Sequence, residues 1–84
     1  MNGPIPDRTM EALQRYLDHG LQPGHFLTAV LTNNLRDAIN RADDDNLESL
    51  RTLVKHLYWN VPGNAHGSVA AVEKWMAEKL QLRV

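Results

Sequence analysis

The chain has 84 residues, of which 43% are hydrophobic and 23% charged, so its length and composition suit one small globular domain. Nine Lys and Arg residues against ten Asp and Glu residues give a net charge of −1. This balance argues against a general nucleic-acid-binding protein, which carries a basic excess. The absence of cysteine excludes disulfides, thiolate metal sites and cysteine nucleophiles.

The first six residues predict an irregular N-terminal arm. Gly3, Pro4 and Pro6 all lie in this segment, and neither residue type favours a helix. The arm has no basic region followed by an apolar one, as a signal peptide would, and no apolar run in the chain approaches the roughly 20 residues of a membrane span. We therefore expect a cytoplasmic protein with a single helical domain over residues 7–82.

The first predicted helix covers residues 7–19. Asp7 is a suitable N-cap, because its carboxylate can accept from the first free amides of a helix. Gly20 can adopt the left-handed conformation that commonly follows a helix. Between these ends, apolar residues recur on one helical face: Met10, Leu13 and Leu17.

The second predicted helix, residues 23–42, has the clearest periodicity in the chain. Pro23 suits its first turn, and six apolar residues project within about 120° of one another. This pattern predicts one continuous helix, with Leu35 buried at the centre of the stripe. The alternative is a break at Asn33-Asn34, because asparagine competes for backbone hydrogen bonds. The stripe consists of Leu27, Leu31, Leu35, Ala38, Ile39 and Ala42.

A third helix is predicted over residues 45–61. Asp45 and Glu48 have the spacing of a capping box at its start, and Pro62 ends it. An apolar stripe between these ends is expected to face the core: Leu47, Leu50, Leu53, Val54, Leu57, Tyr58 and Val61.

The fourth predicted helix covers residues 68–81, with Ser68 as its N-cap. Its expected inner face is Val69, Val72, Trp75, Met76 and Leu80. Four helices with short links predict an all-α fold, a compact bundle with mostly antiparallel neighbours.

The sequence contains no pattern that predicts catalysis, a metal site or a cofactor. The acidic run Asp43–Asp45 lacks the alternating ligands and central glycine of an EF-hand loop, so a solvated loop and a helix cap explain it better. The four histidines do not have the spacing of a zinc helix. No hydroxyl residue lies in a nucleophile elbow, and no glycine-rich phosphate loop is present. We therefore expect a protein that is not an enzyme.

One face of the third predicted helix is unusual. If the apolar stripe faces inward, Arg51, Lys55 and Trp59 form an outward ladder at i, i+4 and i+8, with His56 beside it. A tryptophan is unexpected on such a face unless something covers it. One interpretation is that the loop over residues 62–67 or the last helix covers Trp59. The other is an aromatic anchor flanked by cations, which suits a protein partner or the stacking of a nucleotide base.

Several stretches of the chain resemble a group of short proteins encoded by tailed bacteriophages and prophages. The most specific is PGHFLTAVLTNNL, from Pro23 to Leu35, and the resemblance covers about residues 8–78. It implies a small accessory protein that binds host machinery or blunts host defence, and it implies no catalytic residues. The other matching pieces are Ala42-Asp43 with Asn46 just after, Leu57-Tyr58, Val61-Pro62, and Gly67-Ser68 followed by Trp75.

These observations lead to one expected function and two alternatives. The expectation is an accessory protein in the host bacterial cytoplasm that binds a host protein, a defence or transcription component, through Arg51, Lys55, His56 and Trp59. The first alternative is a protein that sequesters a nucleotide-type molecule at the interface of a homo-oligomer, since a bundle this small has little room for a pocket. Direct nucleic-acid binding is disfavoured by the charge balance.

Overall fold

The computed structural model describes residues 4–82, and within that range the chain forms α-helices, one 3-10 turn and no strand. The all-α class is as the sequence predicts, but the described helices number six rather than about four, because the second and third predicted helices are each divided. They are α1 (Asp7–His19), α2 (His25–Leu31), α3 (Leu35–Arg41), α4 (Asp44–Glu48), α5 (Leu50–Asn60) and α6 (Val69–Leu82), with the 3-10 turn at Gly63–Ala65.

Helix α1 has the predicted extent but a different N-cap. Asp7 is its first helical residue, and Pro6 occupies the N-cap position, where its carbonyl oxygen accepts from the Thr9 amide at 3.0 Å. The prediction that Asp7 caps the helix is therefore wrong. Gly20 follows the helix in the left-handed conformation, with φ of 69°, as predicted. Of the predicted arm, residues 4–6 are not helical and residues 1–3 lie outside the described part of the chain.

The predicted continuous helix over 23–42 is wrong, and the alternative break at Asn33-Asn34 is confirmed. Asn33 has φ of 63°, a left-handed conformation that asparagine tolerates better than most residues. Its amide donates to Val30 O at 3.1 Å, and the Asn34 amide donates to Ala29 O at 2.8 Å. This is a Schellman motif, which ends α2. Asn34 then begins α3 as its N-cap, because its side chain accepts from the Asp37 amide.

This break in the chain, which we call the Asn33 elbow, changes which residues of the second apolar stripe are buried. Leu31 and Ala38 are fully buried, but Leu35 is 65% exposed and Ile39 is 45% exposed. The prediction that Leu35 is buried is therefore wrong. Residues three and four apart lie on the same face only within one continuous helix. The left-handed conformation of Asn33 interrupts the helix, so the residues of α3 do not continue the buried face of α2.

A second interruption at Ser49 separates α4 from α5. The N-cap of α4 is Asp43, whose carboxylate accepts from the Asn46 amide at 2.9 Å, so the capping box predicted for Asp45 is wrong. The Ser49 hydroxyl is buried and donates to Asp45 O at 3.0 Å. A buried hydrogen bond of 2.7 Å, from Thr9 Oγ1 to Asn46 Oδ1, ties α4 to α1.

The core is organised around Tyr16, whose side chain is fully buried in α1 and whose hydroxyl donates to Ala65 O at 2.7 Å. Helix α6 packs so closely on the end of α1 that a Cβ on Gly20 would lie 2.7 Å from Lys79 Cβ. No helix in the described residues is long and apolar enough to cross a membrane. The other buried core residues are Leu13, Phe26, Leu27, Ala29, Leu31, Ala38, Leu53, Leu57, Val61, Ala65 and Val72.

The inner face predicted for α6 is only partly observed. Val72 is buried and Trp75 packs against the core, but Val69 and Leu80 are 58% and 49% exposed. Ser68 acts as predicted at the start of the helix, because its hydroxyl accepts from the Ala71 amide at 3.1 Å.

Candidate functional site

The predicted ladder lies on the solvent side of α5. Leu53 and Leu57 are the buried residues of this helix, and Arg51, Lys55 and Trp59 are exposed on another face. Trp59 is 77% exposed, so neither the loop after α5 nor the last helix covers it. The interpretation that Trp59 is a covered residue is therefore wrong, and a large aromatic ring faces solvent beside two cations.

Tyr58 belongs to the same exposed face, although the periodicity placed it inward. Its side chain is 72% exposed, and its ring meets the Trp59 ring edge to face, with centroids 5.0 Å apart and an angle of 89°. The two rings form an exposed aromatic pair. Successive helical residues point about 100° apart, so Tyr58 lies well to one side of the buried Leu57. Its exposure could have been predicted from the width of the apolar stripe, because one face of a helix cannot bury the whole stripe and Tyr58 lies at its edge.

His56 lies on the other flank of Trp59 and is half-buried. The side-chain amide of Asn60, one turn later, lies 3.3 Å from His56 Nδ1. His56 thus borders the aromatic pair, with its ring beside the next turn of its own helix.

The cations of this face have no acidic partner among residues 4–82. Side-chain ion pairs in that range join Arg8 to Asp43 and Asp45, and Arg41 to Asp37. Helix α5 itself contains no Asp or Glu, whereas the preceding α4 contains three acids and no base. Arg51 and Lys55 therefore present positive charge that the described fold does not neutralise, although the whole chain is slightly acidic.

An apolar groove lies beside this face, between α5 and the segment where α2 ends and α3 begins. It consists of two adjoining depressions, of about 50 and 150 Å³, that share Val30, Asn33 and Val54. Leu35, Ala38 and Leu50 also line the smaller one, and Leu57, Tyr58 and His66 the larger. We call this surface the α3–α5 groove. The sequence does not predict this groove, because the apolar periodicity assigns Leu35 and Val54 to the core.

The acidic segment before α5 serves a structural purpose. Donation from the Asn46 amide to the Asp43 carboxylate, with the nearby Arg8 guanidinium, lowers the pKa of Asp43 below its usual value of 3.8. Among the described residues, no three His, Asp or Glu side chains are grouped so that they could hold a metal ion. Asp43 therefore has two structural contacts, as the N-cap of α4 and in an ion pair with Arg8.

The chain matches no protein-family model, and comparison with curated proteins and with solved structures finds no significant match.

Proposed function

We propose that this protein acts by binding another protein, without catalysis, through a surface formed by Arg51, Lys55, Tyr58 and Trp59, with His56 at its flank. The observation that carries the proposal is the exposed aromatic pair, with Tyr58 72% and Trp59 77% exposed. Tyrosine, tryptophan and arginine are the residues most enriched among those that dominate binding energy at protein interfaces. A domain this small gains little from holding two such rings in water, unless a partner covers them.

The setting we propose is the cytoplasm of a bacterial host, with a host defence or transcription component as the partner. Its support is the resemblance of the segment Pro23–Leu35 and the shorter matching pieces to short phage and prophage proteins. Resemblance supplies context and not a site, so the binding surface is argued from exposure and charge alone.

A nucleotide-type ligand has less support from the surface of a single chain. The larger depression of the α3–α5 groove measures about 150 Å³, which is below the roughly 300 Å³ at which small-molecule pockets begin. A wider depression of about 510 Å³ beside the N-terminal arm is lined by the carboxylates of Asp7, Asp45 and Glu48 and by the guanidinium of Arg8, which is ion-paired with Asp43 and Asp45. Those carboxylates repel phosphate groups. A nucleotide site would require a homo-oligomer that adds walls from a second copy.

Capture from a host bacterial lysate tests the proposed surface. Immobilised wild-type protein, Trp59→Ala and the control Leu80→Ala are compared, and retained proteins are identified by mass spectrometry. Leu80 is an exposed apolar residue of α6, outside the proposed surface. We expect one host protein that wild type and Leu80→Ala retain and that Trp59→Ala loses, because truncating a central aromatic anchor costs about 2 kcal/mol or more of binding energy. Equal retention by all three proteins would contradict the proposal.

A further inference from the structure

The α3–α5 groove has an apolar floor and a cationic edge. Val30, Val54 and Leu57 line its larger depression. Arg51 precedes Val54 by three residues, and Lys55 precedes Tyr58 by three, so both cations lie next to groove-lining residues on the surface of α5. Helix α5 contains no acidic residue, and Glu48 of α4, three residues before Arg51, forms no ion pair with either cation.

The groove also has a defined length and two separate depressions. Leu50 and Tyr58, at opposite ends of its α5 wall, are about 12 Å apart along the helix axis. The two depressions adjoin at Val54, with Leu50 about one helical turn before it and Tyr58 about one turn after it. Such spacing suits two apolar side chains that project from one face of an incoming helix at i and i+4. Residues 4–82 contain no strand, so this part of the chain offers no sheet edge for an extended peptide.

We propose that the α3–α5 groove receives an acidic amphipathic helix of the partner protein. Two apolar side chains of that helix enter the two depressions, the larger one beside Tyr58, and its carboxylates face Arg51 and Lys55. Charge complementarity selects this occupant: the cationic edge repels a basic helix and attracts an acidic one. The inference rests on the proposed function, since it states the chemistry of the partner that meets the same side of α5.

Synthetic peptides test the groove without knowledge of the natural partner. The probe is an alanine-rich helical peptide of about 16 residues, with two leucines one turn apart and glutamates beside them. Two control peptides carry lysine in place of glutamate, or alanine in place of leucine. Binding is followed by NMR shifts of the isotope-labelled full chain. We expect shifts centred on Val30, Val54, Tyr58 and Gly67, and affinity for the acidic peptide about tenfold above that for either control.

A matched pair of variants locates the binding. Val54→Ser changes a half-exposed valine inside the groove, and Val69→Ser changes a similarly exposed valine of α6 outside it. We expect Val54→Ser to weaken the acidic peptide about tenfold and Val69→Ser to leave it unchanged, with both variants folded by circular dichroism. Absence of binding, equal binding of the basic peptide, or shifts away from the groove would each overturn the inference. So would a stable dimer of the free protein that covers the groove, because a second copy would then be the occupant.

The proposed function and this inference fail separately. If no peptide binds but Trp59→Ala still loses a captured host protein, the binding surface stands and the groove is not its docking site. If the acidic peptide binds in the groove but capture does not depend on Trp59, the inference stands and the aromatic pair is not the anchor.

Discussion

Trp75 donates its indole N–H to the carbonyl oxygen of Tyr16 across a distance of 3.2 Å. The same oxygen accepts from the Gly20 amide at 2.9 Å, at the end of α1. The two rings lie 6.4 Å apart between centroids, and Lys79 Nζ lies 4.8 Å from the centre of the Trp75 ring. One carbonyl thus joins the first described helix to the last. Trp75 packs against the core, whereas Trp59 is exposed.

The first prediction concerns these two tryptophans. Trp75→Phe removes the hydrogen bond to Tyr16 and part of a packed ring, so we expect it to lower the free energy of unfolding by about 1–3 kcal/mol. Trp59→Phe changes an exposed ring and should cost less than about 0.5 kcal/mol. Urea denaturation measures both. In Trp75→Phe the remaining emission should resemble that of solvated tryptophan and be quenched by iodide. A shielded signal would contradict the exposed position of Trp59.

The second prediction compares two leucines four residues apart. Leu31 is fully buried and Leu35 is 65% exposed. Leu31→Ala should therefore lower the free energy of unfolding by about 2–5 kcal/mol, because it leaves a cavity in the core, whereas Leu35→Ala should change it by less than about 0.5 kcal/mol. Thermal and urea denaturation of both variants provide the measurement. If Leu35→Ala were as unstable as Leu31→Ala, the result would favour a buried Leu35 in one continuous helix and contradict the break at Asn33.

The sequence was informative wherever a residue acts on its nearest neighbours. Gly20 ends α1 and Ser68 caps α6 as their types predict, since both roles depend on a few adjacent backbone atoms. The helical class also followed from periodicity. Asn33 and Asn34 indicated a break, but the long apolar stripe favoured a continuous helix. A left-handed conformation at Asn33 alone is enough to end α2.

The exposed surface could be predicted only in part, for a geometric reason. Trp59 was placed outward correctly because it lies opposite Leu53 and Leu57. Tyr58 and Leu35 were assigned to the core because every apolar residue of a stripe was counted as buried. The width of the α5 surface that the core covers depends on where the neighbouring helices lie. Because the chain turns at Asn33, α3 does not continue in the direction of α2.

The third prediction concerns the Asn33 elbow. Asn33→Gly should keep the fold and match or exceed wild-type stability, because glycine adopts positive φ without a Cβ penalty. Asn33→Ala should be less stable by about 1 kcal/mol, since alanine tolerates that conformation poorly. Denaturant titration separates the two. As a control, Asn40→Ala changes an exposed asparagine within α3 and should not destabilise, because alanine is the better helix former. A stabilising Asn33→Ala would indicate a straight helix through this point.

The fourth prediction concerns alkaline pH. Burial raises the pKa of Tyr16 from 10.0 to about 12. Between these values the unfolded chain releases the phenolic proton while the folded chain retains it, so stability falls as pH rises, by up to about 1.4 kcal/mol per pH unit. Tyr16→Phe should be less stable at neutral pH, because Ala65 O loses its donor, but should show a shallower fall above pH 10. Urea titrations at several pH values measure this difference, and equal slopes would refute it.

The fifth prediction concerns acid pH and the cap of α4. The Asp43 carboxylate stabilises the folded chain at any pH above its ordinary pKa of 3.8. This stabilisation is lost as the pH falls through the lowered pKa that Asp43 has in the folded chain. Asp43→Ala, which removes the side-chain acceptor, should therefore lower the melting temperature at neutral pH, and its difference from wild type should narrow in acid. Asp44→Ala, in the same segment, is the control and should leave the melting temperature nearly unchanged. A larger loss from Asp44→Ala would show that the cap has been assigned to the wrong residue.

The end of α2 is completed from far along the chain. The Gly67 amide donates to Leu31 O at 2.7 Å, and Leu31 is the last residue of α2. Such a contact between distant parts of the sequence costs more loop-closure entropy than the hydrogen bonds inside one helix. Gly67 also lines the larger depression of the α3–α5 groove, so the groove is complete only when this segment has docked. A ligand bound in the groove would therefore recognise the docked, native arrangement, and its binding free energy would add to the stability of the native state.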